Sequence, residues 1–191
     1  AVTSAGPRCY CADPRVLGPV TRPPLLIVFV AIVLIALGVT AGAVMSQLRP
    51  QTDGYAQARI RANAVAHGLA GSPEYDDEVI ARAVFTAEAG LSFLHTHAMG
   101  LGPIVLLTAS IAASVVPGGW RRTLLYGLLG LGGLFPCGYL VYALAVLEAG
   151  RDAGVPFAET WVLTPLGSAM ILGLLVLAVL LGAGRRPPSA P

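Results

Sequence analysis

The sequence predicts an all-α integral membrane protein, a bundle of four transmembrane helices with both termini in the cytoplasm. Three observations lead to this prediction. The composition is 55% hydrophobic and 12% charged, with a mean hydropathy of +0.75, as expected for a chain whose main solvent is lipid. Four uncharged runs are each long enough to cross about 30 Å of hydrocarbon, which takes roughly 20 helical residues. Arginines are concentrated on alternate connections between these runs, which sets their direction.

Nine consecutive segments follow from this pattern. The predicted transmembrane helices are 24–46, 91–116, 123–147 and 161–182. The segments predicted to be cytoplasmic are the tail 1–23, the turn 117–122 and the tail 183–191, and those predicted to lie outside are the connection 47–90 and the loop 148–160. The first run is too long for the apolar part of a signal peptide and no convincing cleavage site follows it, so we interpret it as a retained helix.

Arginine placement indicates the orientation and the compartment. The turn between the second and third runs contains Arg121 and Arg122, and further arginines precede the first run and follow the fourth. The outer connections instead balance their arginines with acids, and Trp120 and Trp161 lie at span ends, where interfacial anchors are common. The chain has no lysine and 23 glycines, a composition typical of a GC-rich bacterial genome. We therefore expect a multi-pass protein of the bacterial inner membrane.

The connection 47–90 is predicted to be helical. Residues 55–69 are rich in alanine, and Ser72, Pro73 and Glu74 form a helix-start signal with an acid in the first turn. A helix that begins near Pro73 would run on into the second span and project above the membrane. Such a projection would form a small outer cap or a docking surface.

Small residues within the spans predict close helix packing. Gly38 and Gly42 form a Gly-x-x-x-Gly spacing in the first span, and the third span is crowded with glycines. Small residues let helix backbones approach closely in lipid. Pro136 is expected to kink the third span. Cys9 and Cys11 lack the four ligands of a closed zinc site, so we expect them to be incidental thiols.

The histidines of the chain are His67, His95 and His97. His95 and His97 are predicted to lie near the outer end of the second span, where polar side chains are costly unless they have a partner or a function. Residues two apart on a helix diverge by about 200°, so this pair faces opposite sides and cannot grip one ion. One interpretation is that they hydrogen-bond to loop groups or to Glu88. The other is that they hold a cofactor.

A family resemblance favours the cofactor. Segment 91–102, Leu-Ser-Phe-Leu-His-Thr-His-Ala-Met-Gly-Leu-Gly, has His-x-His followed by small residues and glycines in an apolar helix. It resembles the helix of heme-copper oxidase and nitric-oxide reductase catalytic subunits in which two histidines serve two hemes on opposite faces. The resemblance covers about a dozen residues and implies heme ligation by His95 and His97. The other histidine ligands of that family have no counterpart here, so the resemblance does not extend to oxidase activity of this chain alone.

Residue chemistry leaves two site models open, because imidazole and thioether are ligands for both heme and copper. In the first model, heme b lies between helices near the outer face with His95 or His97 as one axial ligand. The second axial ligand is then His67, a methionine such as Met99, or a group of a partner subunit. The second model holds copper with side chains from several spans, namely His95, His97, Met45 and Met170. Heme is favoured because the small residues after His97 leave room for a macrocycle.

The leading functional hypothesis is a membrane subunit of a respiratory or other redox complex. It would carry heme b or line a quinone site and pass electrons between a partner and the membrane pool. The expected partners are other membrane-protein subunits, a periplasmic redox protein and the lipid bilayer, and the few arginines suit orientation better than nucleic-acid binding. No phosphate loop, nucleophile elbow or paired-carboxylate motif predicts catalysis by this chain alone. The alternatives are a cofactor-free structural accessory subunit and a copper-handling membrane protein.

Overall fold

The computed structural model describes residues 22–183, and within this range the chain is predominantly helical and has no β-strand. Its α-helices are α1 Leu25–Gln47, α2 Arg49–Ala62, α3 Pro73–Val115, α4 Trp120–Gly133, α5 Phe135–Ala149, α6 Arg151–Ala158 and α7 Thr164–Ala183. A π-helical segment, Glu159–Leu163, joins α6 to α7. Residues 1–21, which include Cys9 and Cys11, and residues 184–191 lie outside the described part.

Within residues 22–183, four helical units are long and apolar enough to cross a membrane. They are Leu25–Gln47, Pro73–Val115, Trp120–Ala149 and Arg151–Ala183. The prediction of an all-helical chain with four membrane-length helices is thereby confirmed, and the location of the termini stays a prediction. Large apolar side chains are exposed on these units, such as Phe29 at 63% and Leu172 at 52%. Continuous exposed apolar surface of this kind is suited to lipid.

Helix α3 occupies the middle of the bundle, with α1 packed along one side and α5 along the other, while α4 packs chiefly on α7. Small residues line the contacts of α3. On the α1 side, a Cβ on Gly38 would lie 3.1 Å from the Cβ of Ala98, and on the α5 side a Cβ on Gly90 would lie 3.1 Å from that of Ala143. These approaches explain why alanine and glycine are so frequent in the spans.

Helix α3 runs for 43 residues from Pro73 to Val115, about 65 Å at 1.5 Å per residue. Pro73 stands in the first turn, where a missing N–H costs nothing, and Glu74 and Asp76 complement the helix dipole there. The predicted helix start near Pro73, continuing into the second span, is therefore confirmed.

The third membrane-length unit is interrupted at Leu134, between α4 and α5. Pro136 lies in the first turn of α5, so the predicted kink is present as a break between two helices. Just before it, Gly132 lies so close to α7 that an added Cβ would overlap the backbone of Met170. The absence of a side chain at Gly132 thus sets the α4–α7 separation.

Residues 148–160 are mostly helical, which corrects the sequence prediction of a loop. Their location outside the membrane stays a prediction. Gly150 alone makes the turn after α5, with φ of +77°, and α6 begins at the next residue. Position 150 requires glycine for two reasons. A positive φ is costly for other residues, and a Cβ would overlap the carbonyl oxygen of Ala66. The polar residues of this segment therefore lie on helix, and the π-helical segment carries them into α7 without a loop.

One end of the bundle carries a cap, which we define as α2, the turn 63–69 and residues 73–90 of α3. Its small core joins Ile60 of α2, Ile80 of α3 and Val146 of α5. Charged groups clamp its edge, because the guanidinium of Arg59 donates hydrogen bonds to both carboxylate oxygens of Glu148. This carboxylate raises the pKa of Arg59 above its ordinary value.

Candidate functional site

The imidazole of His95 lies between α3 and α1. Its Nδ1 is 2.8 Å from the carbonyl oxygen of Gly38, and a Cβ added to Gly42 would lie 2.8 Å from two ring atoms. The Gly-x-x-x-Gly spacing of α1 therefore provides the groove in which this ring is seated. A carbonyl oxygen can only accept, so Nδ1 carries the hydrogen.

The imidazole of His97 lies on the α5 side of α3, among aromatic rings. The centroid of Tyr139 is 5.0 Å from its own, that of Phe135 is 5.5 Å away, and that of Phe93 is 6.1 Å away. Its Nδ1 is 2.9 Å from the carbonyl oxygen of Phe93, one turn earlier on the same helix. Here too the carbonyl must accept, so Nδ1 is protonated.

The two histidines of α3 therefore share one tautomer on opposite sides of the helix. His95 contacts α1 and His97 contacts α5, as the 200° divergence on a helix predicts. In both rings Nε2 makes no hydrogen bond to the described residues, so the neutral imidazole would have its lone pair free there. Metal-ligating histidines characteristically donate the other ring N–H to a carbonyl or carboxylate, which fixes the ring and strengthens the ligating nitrogen.

Glu88 is not the partner of either histidine. Its carboxylate lies 3.5 Å from the guanidinium of Arg49, whereas both imidazoles bond to helix carbonyls. The simplest interpretation of the histidines as loop-bound polar groups therefore does not match their contacts.

His67 lies in the turn of the cap and contacts α5 instead of α1. Its Nε2 donates to the carbonyl oxygen of Leu147 at 3.1 Å, and Asn63 donates to the same oxygen at 3.3 Å. Leu147 has an otherwise unpaired carbonyl because it lies in the last turn of α5. It is also eight residues beyond Tyr139, the neighbour of His97, roughly 12 Å along the helix. The structure thus does not bring His67 to the histidines of α3.

The three candidate methionines lie in different surroundings. Met99 contacts Gly38, and Met45 lines a cavity together with Ser92, so both flank His95 along the α1–α3 contact. Met170 is 5% exposed and packs in the core formed with α4. The four-residue copper set is therefore not gathered at one point. Within residues 22–183, no group of three or more His, Cys, Asp or Glu side chains is arranged to hold a metal ion.

A second group of side chains, which the sequence did not predict as a site, lies where the cap meets the spans. Arg49 and Asp53 of α2 approach Glu88 of α3, with Arg49 lying 4.0 Å from Asp53 and 3.5 Å from Glu88. The two carboxyl groups therefore face the same guanidinium. One oxygen of Asp53, Oδ1, is buried and has no hydrogen-bond partner within residues 22–183. We call this group the cap junction.

Only the i, i+4 spacing of Arg49 and Asp53 is visible in the sequence, since Glu88 belongs to a different helix. The junction borders three cavities of about 350, 390 and 120 Å³, and Glu88 lines all three. It is therefore the point at which polar and apolar spaces meet.

Comparisons with protein-family models, with curated proteins and with solved structures find no match for this chain.

Proposed function

We propose that this protein is a membrane subunit of a respiratory or other redox complex, which binds heme b through α3 and passes electrons between a partner protein or quinone and the membrane pool. One observation carries the proposal. His95 and His97 both donate Nδ1–H to a backbone carbonyl and make no hydrogen bond through Nε2 to the described residues. Axial ligation by histidine needs that tautomer and a fixed ring.

The surroundings of His97 suit a macrocycle. A Cβ added to Gly100 would meet no described atom within 4 Å, so the surface beside His97 is open. Phe93, Phe135 and Tyr139 offer flat apolar surface around the same ring. Because the two imidazoles face opposite sides of α3, each would serve a different heme.

The protein's own contribution is positioning and electrostatics, while heme, when bound, supplies a one-electron redox centre. The carbonyl oxygens of Gly38 and Phe93 hold the imidazoles in orientation and increase the basicity of Nε2. The lipid-facing helices exclude water, which lowers the local dielectric around the bound group.

The second axial ligand is best supplied by a partner subunit. His67 is committed to α5, and Met99 lies one turn from His95 on the same face of α3. A further ligand to a heme held by His95 would therefore come from another chain. This supports a protein that works within a larger complex.

A cofactor-free structural accessory subunit is the second candidate. It is favoured by the His95 ring, which already joins α3 to α1 through Gly38 and occupies the groove at Gly42. In that role the histidine is an interhelical hydrogen-bond donor and nothing more. Copper handling is the third candidate and is supported only by Met45 and Met99 flanking His95.

The test is a reduced-minus-oxidised optical spectrum, with metal analysis, of the gently solubilised protein and the chains that copurify with it. We expect a b-type heme band that His95→Ala and His97→Ala each diminish, and that the control His67→Ala leaves unchanged. A band that survives all three substitutions, or a preparation without heme, would favour the structural role. Stoichiometric copper without heme would favour the third candidate.

A further inference from the structure

We infer that the cavity between α1, α2 and α3 binds a hydroquinone head group, whose ring hydroxyl donates a hydrogen bond to the carboxylate of Glu88. The inference deepens the proposed function, on which it rests for the fate of the electrons. Binding of the head group is a separate property and can be measured with or without heme.

The cavity has the size and the mixed lining that an amphiphilic ring requires. Its volume is about 390 Å³, within the range of roughly 300–1,000 Å³ that is common for small-molecule sites. Its lining is apolar at Met45, Phe85, Ala89 and Leu91, and polar at Arg49, Thr52, Glu88 and Ser92. An aromatic ring fits the first set, and its hydroxyl groups fit the second.

Glu88 lies where this cavity meets two others of contrasting character. On one side is a polar cleft of about 350 Å³ whose lining includes Arg61 and Asp77. On the other is an apolar pocket of about 120 Å³ whose lining includes Leu140 and Leu144. A head group at Glu88 would therefore have polar groups beyond it and apolar surface for a hydrocarbon chain beside it.

The charges at the cap junction select a hydrogen-bond donor rather than an anion. One guanidinium, that of Arg49, faces two carboxyl groups, those of Asp53 and Glu88, so acceptors outnumber cationic donors. A phosphate group would be repelled by the excess of carboxyl groups, whereas a hydroxyl group in this cavity could donate a hydrogen bond to Glu88, which lines it.

The position of the cavity connects it with the histidines. Ser92 lines it and lies three residues before His95, a rise of roughly 4.5 Å along α3. A head group seated there would be about one helical turn from the imidazole that we propose as a heme ligand.

The experiment measures binding of a radiolabelled short-chain naphthohydroquinone to the full chain in nanodiscs by equilibrium dialysis under reducing, oxygen-free conditions. Ala89→Phe fills the cavity and should weaken binding at least tenfold. Ala36→Phe makes the same change at an exposed position of α1 outside this lining and should leave binding unchanged.

The hydrogen bond is tested separately with Glu88→Gln and with the dimethyl ether of the probe. Loss of a charge-assisted bond should weaken hydroquinone binding about tenfold in the variant. The ether, which has no hydroxyl hydrogen, should bind about tenfold more weakly than the hydroquinone to the unsubstituted protein, with no further loss in Glu88→Gln. These two comparisons do not depend on the folding of Ala89→Phe.

Equal binding of hydroquinone and ether would overturn the inference. If excess phosphatidylglycerol also displaced both probes, the cavity would be a lipid site instead. An optical spectrum of the same sample distinguishes the two proposals. Hydroquinone binding without a heme band would refute the proposed function alone, and a heme band without hydroquinone binding would refute this inference alone.

Discussion

The imidazole of His95 lies over Gly42, so that a Cβ atom at this glycine would come within 2.8 Å of Nδ1 and Cε1 of the ring. Helix α1 therefore provides a close-fitting groove for the side chain of His95 on α3. The position and tautomer of His95 therefore depend on α1 as well as on its own helix.

Gly42→Ala should displace the His95 ring and lower the free energy of unfolding by about 1–3 kcal/mol, the usual cost of overfilling a packed contact. Thermal or denaturant unfolding in detergent measures this. Gly100→Ala is the matched control on α3, because nothing described lies within 4 Å of the added atom. Alanine should there be neutral or slightly stabilising. Equal stability of the two variants would contradict the close contact between Gly42 and the His95 ring.

Gly132→Ala should separate α4 from α7, because the new Cβ would overlap the backbone of Met170, which has no flexible atoms to yield. We expect a loss of about 1–3 kcal/mol, seen as a lower unfolding temperature. Gly127→Ala changes the same helix where no described neighbour stands within 4 Å. If Gly127→Ala proved as harmful as Gly132→Ala, intrinsic helix effects would explain both and the close approach would be irrelevant.

Arg59→Ala should loosen the cap without unfolding the spans, since it removes the hydrogen bonds that join α2 to Glu148 at the end of α5. Hydrogen exchange should become faster in residues 49–69 and stay unchanged in α7. Arg82→Ala is the control, because its partner Glu78 is on the same helix and no two elements are joined by that pair. High salt should reproduce part of the Arg59→Ala effect.

His67→Ala should affect the turn after α2 rather than any cofactor. It removes one of two donors to the carbonyl oxygen of Leu147, and Asn63 retains the other. We expect faster local hydrogen exchange around residues 63–69 with an unchanged optical spectrum. A changed heme band would show that His67 reaches the ligand sphere after all.

The spans could be predicted because bilayer thickness imposes one length on every apolar run. The start of α3 could also be predicted, since Pro73 and the acids after it satisfy local rules for the first turn of a helix. The conformation around Gly150 was not, because Arg151 and Asp152 have the composition of a loop and their helix follows from a single positive φ.

The opposite faces of His95 and His97 followed from helical geometry alone, and the bond of His97 to the carbonyl of Phe93, four residues earlier, is local as well. The partners of His95 and His67 could not be predicted in this way. The carbonyl of Gly38 belongs to another span, and that of Leu147, which holds His67, comes from the third. The cap junction escaped for the same reason. Asp53 lies on α2 and Glu88 on α3, and both approach Arg49 because α2 folds back on α3. Local patterns do not encode such encounters.

Helix α3 is long enough to connect the cap to the bundle without a break. Its ladder of hydrogen bonds is interrupted at Pro103, whose nitrogen has no hydrogen to donate to Met99. Glu88, His95 and His97 all lie on the cap side of that proline. A partner bound at the cap would therefore contact the same continuous helix that carries both histidines.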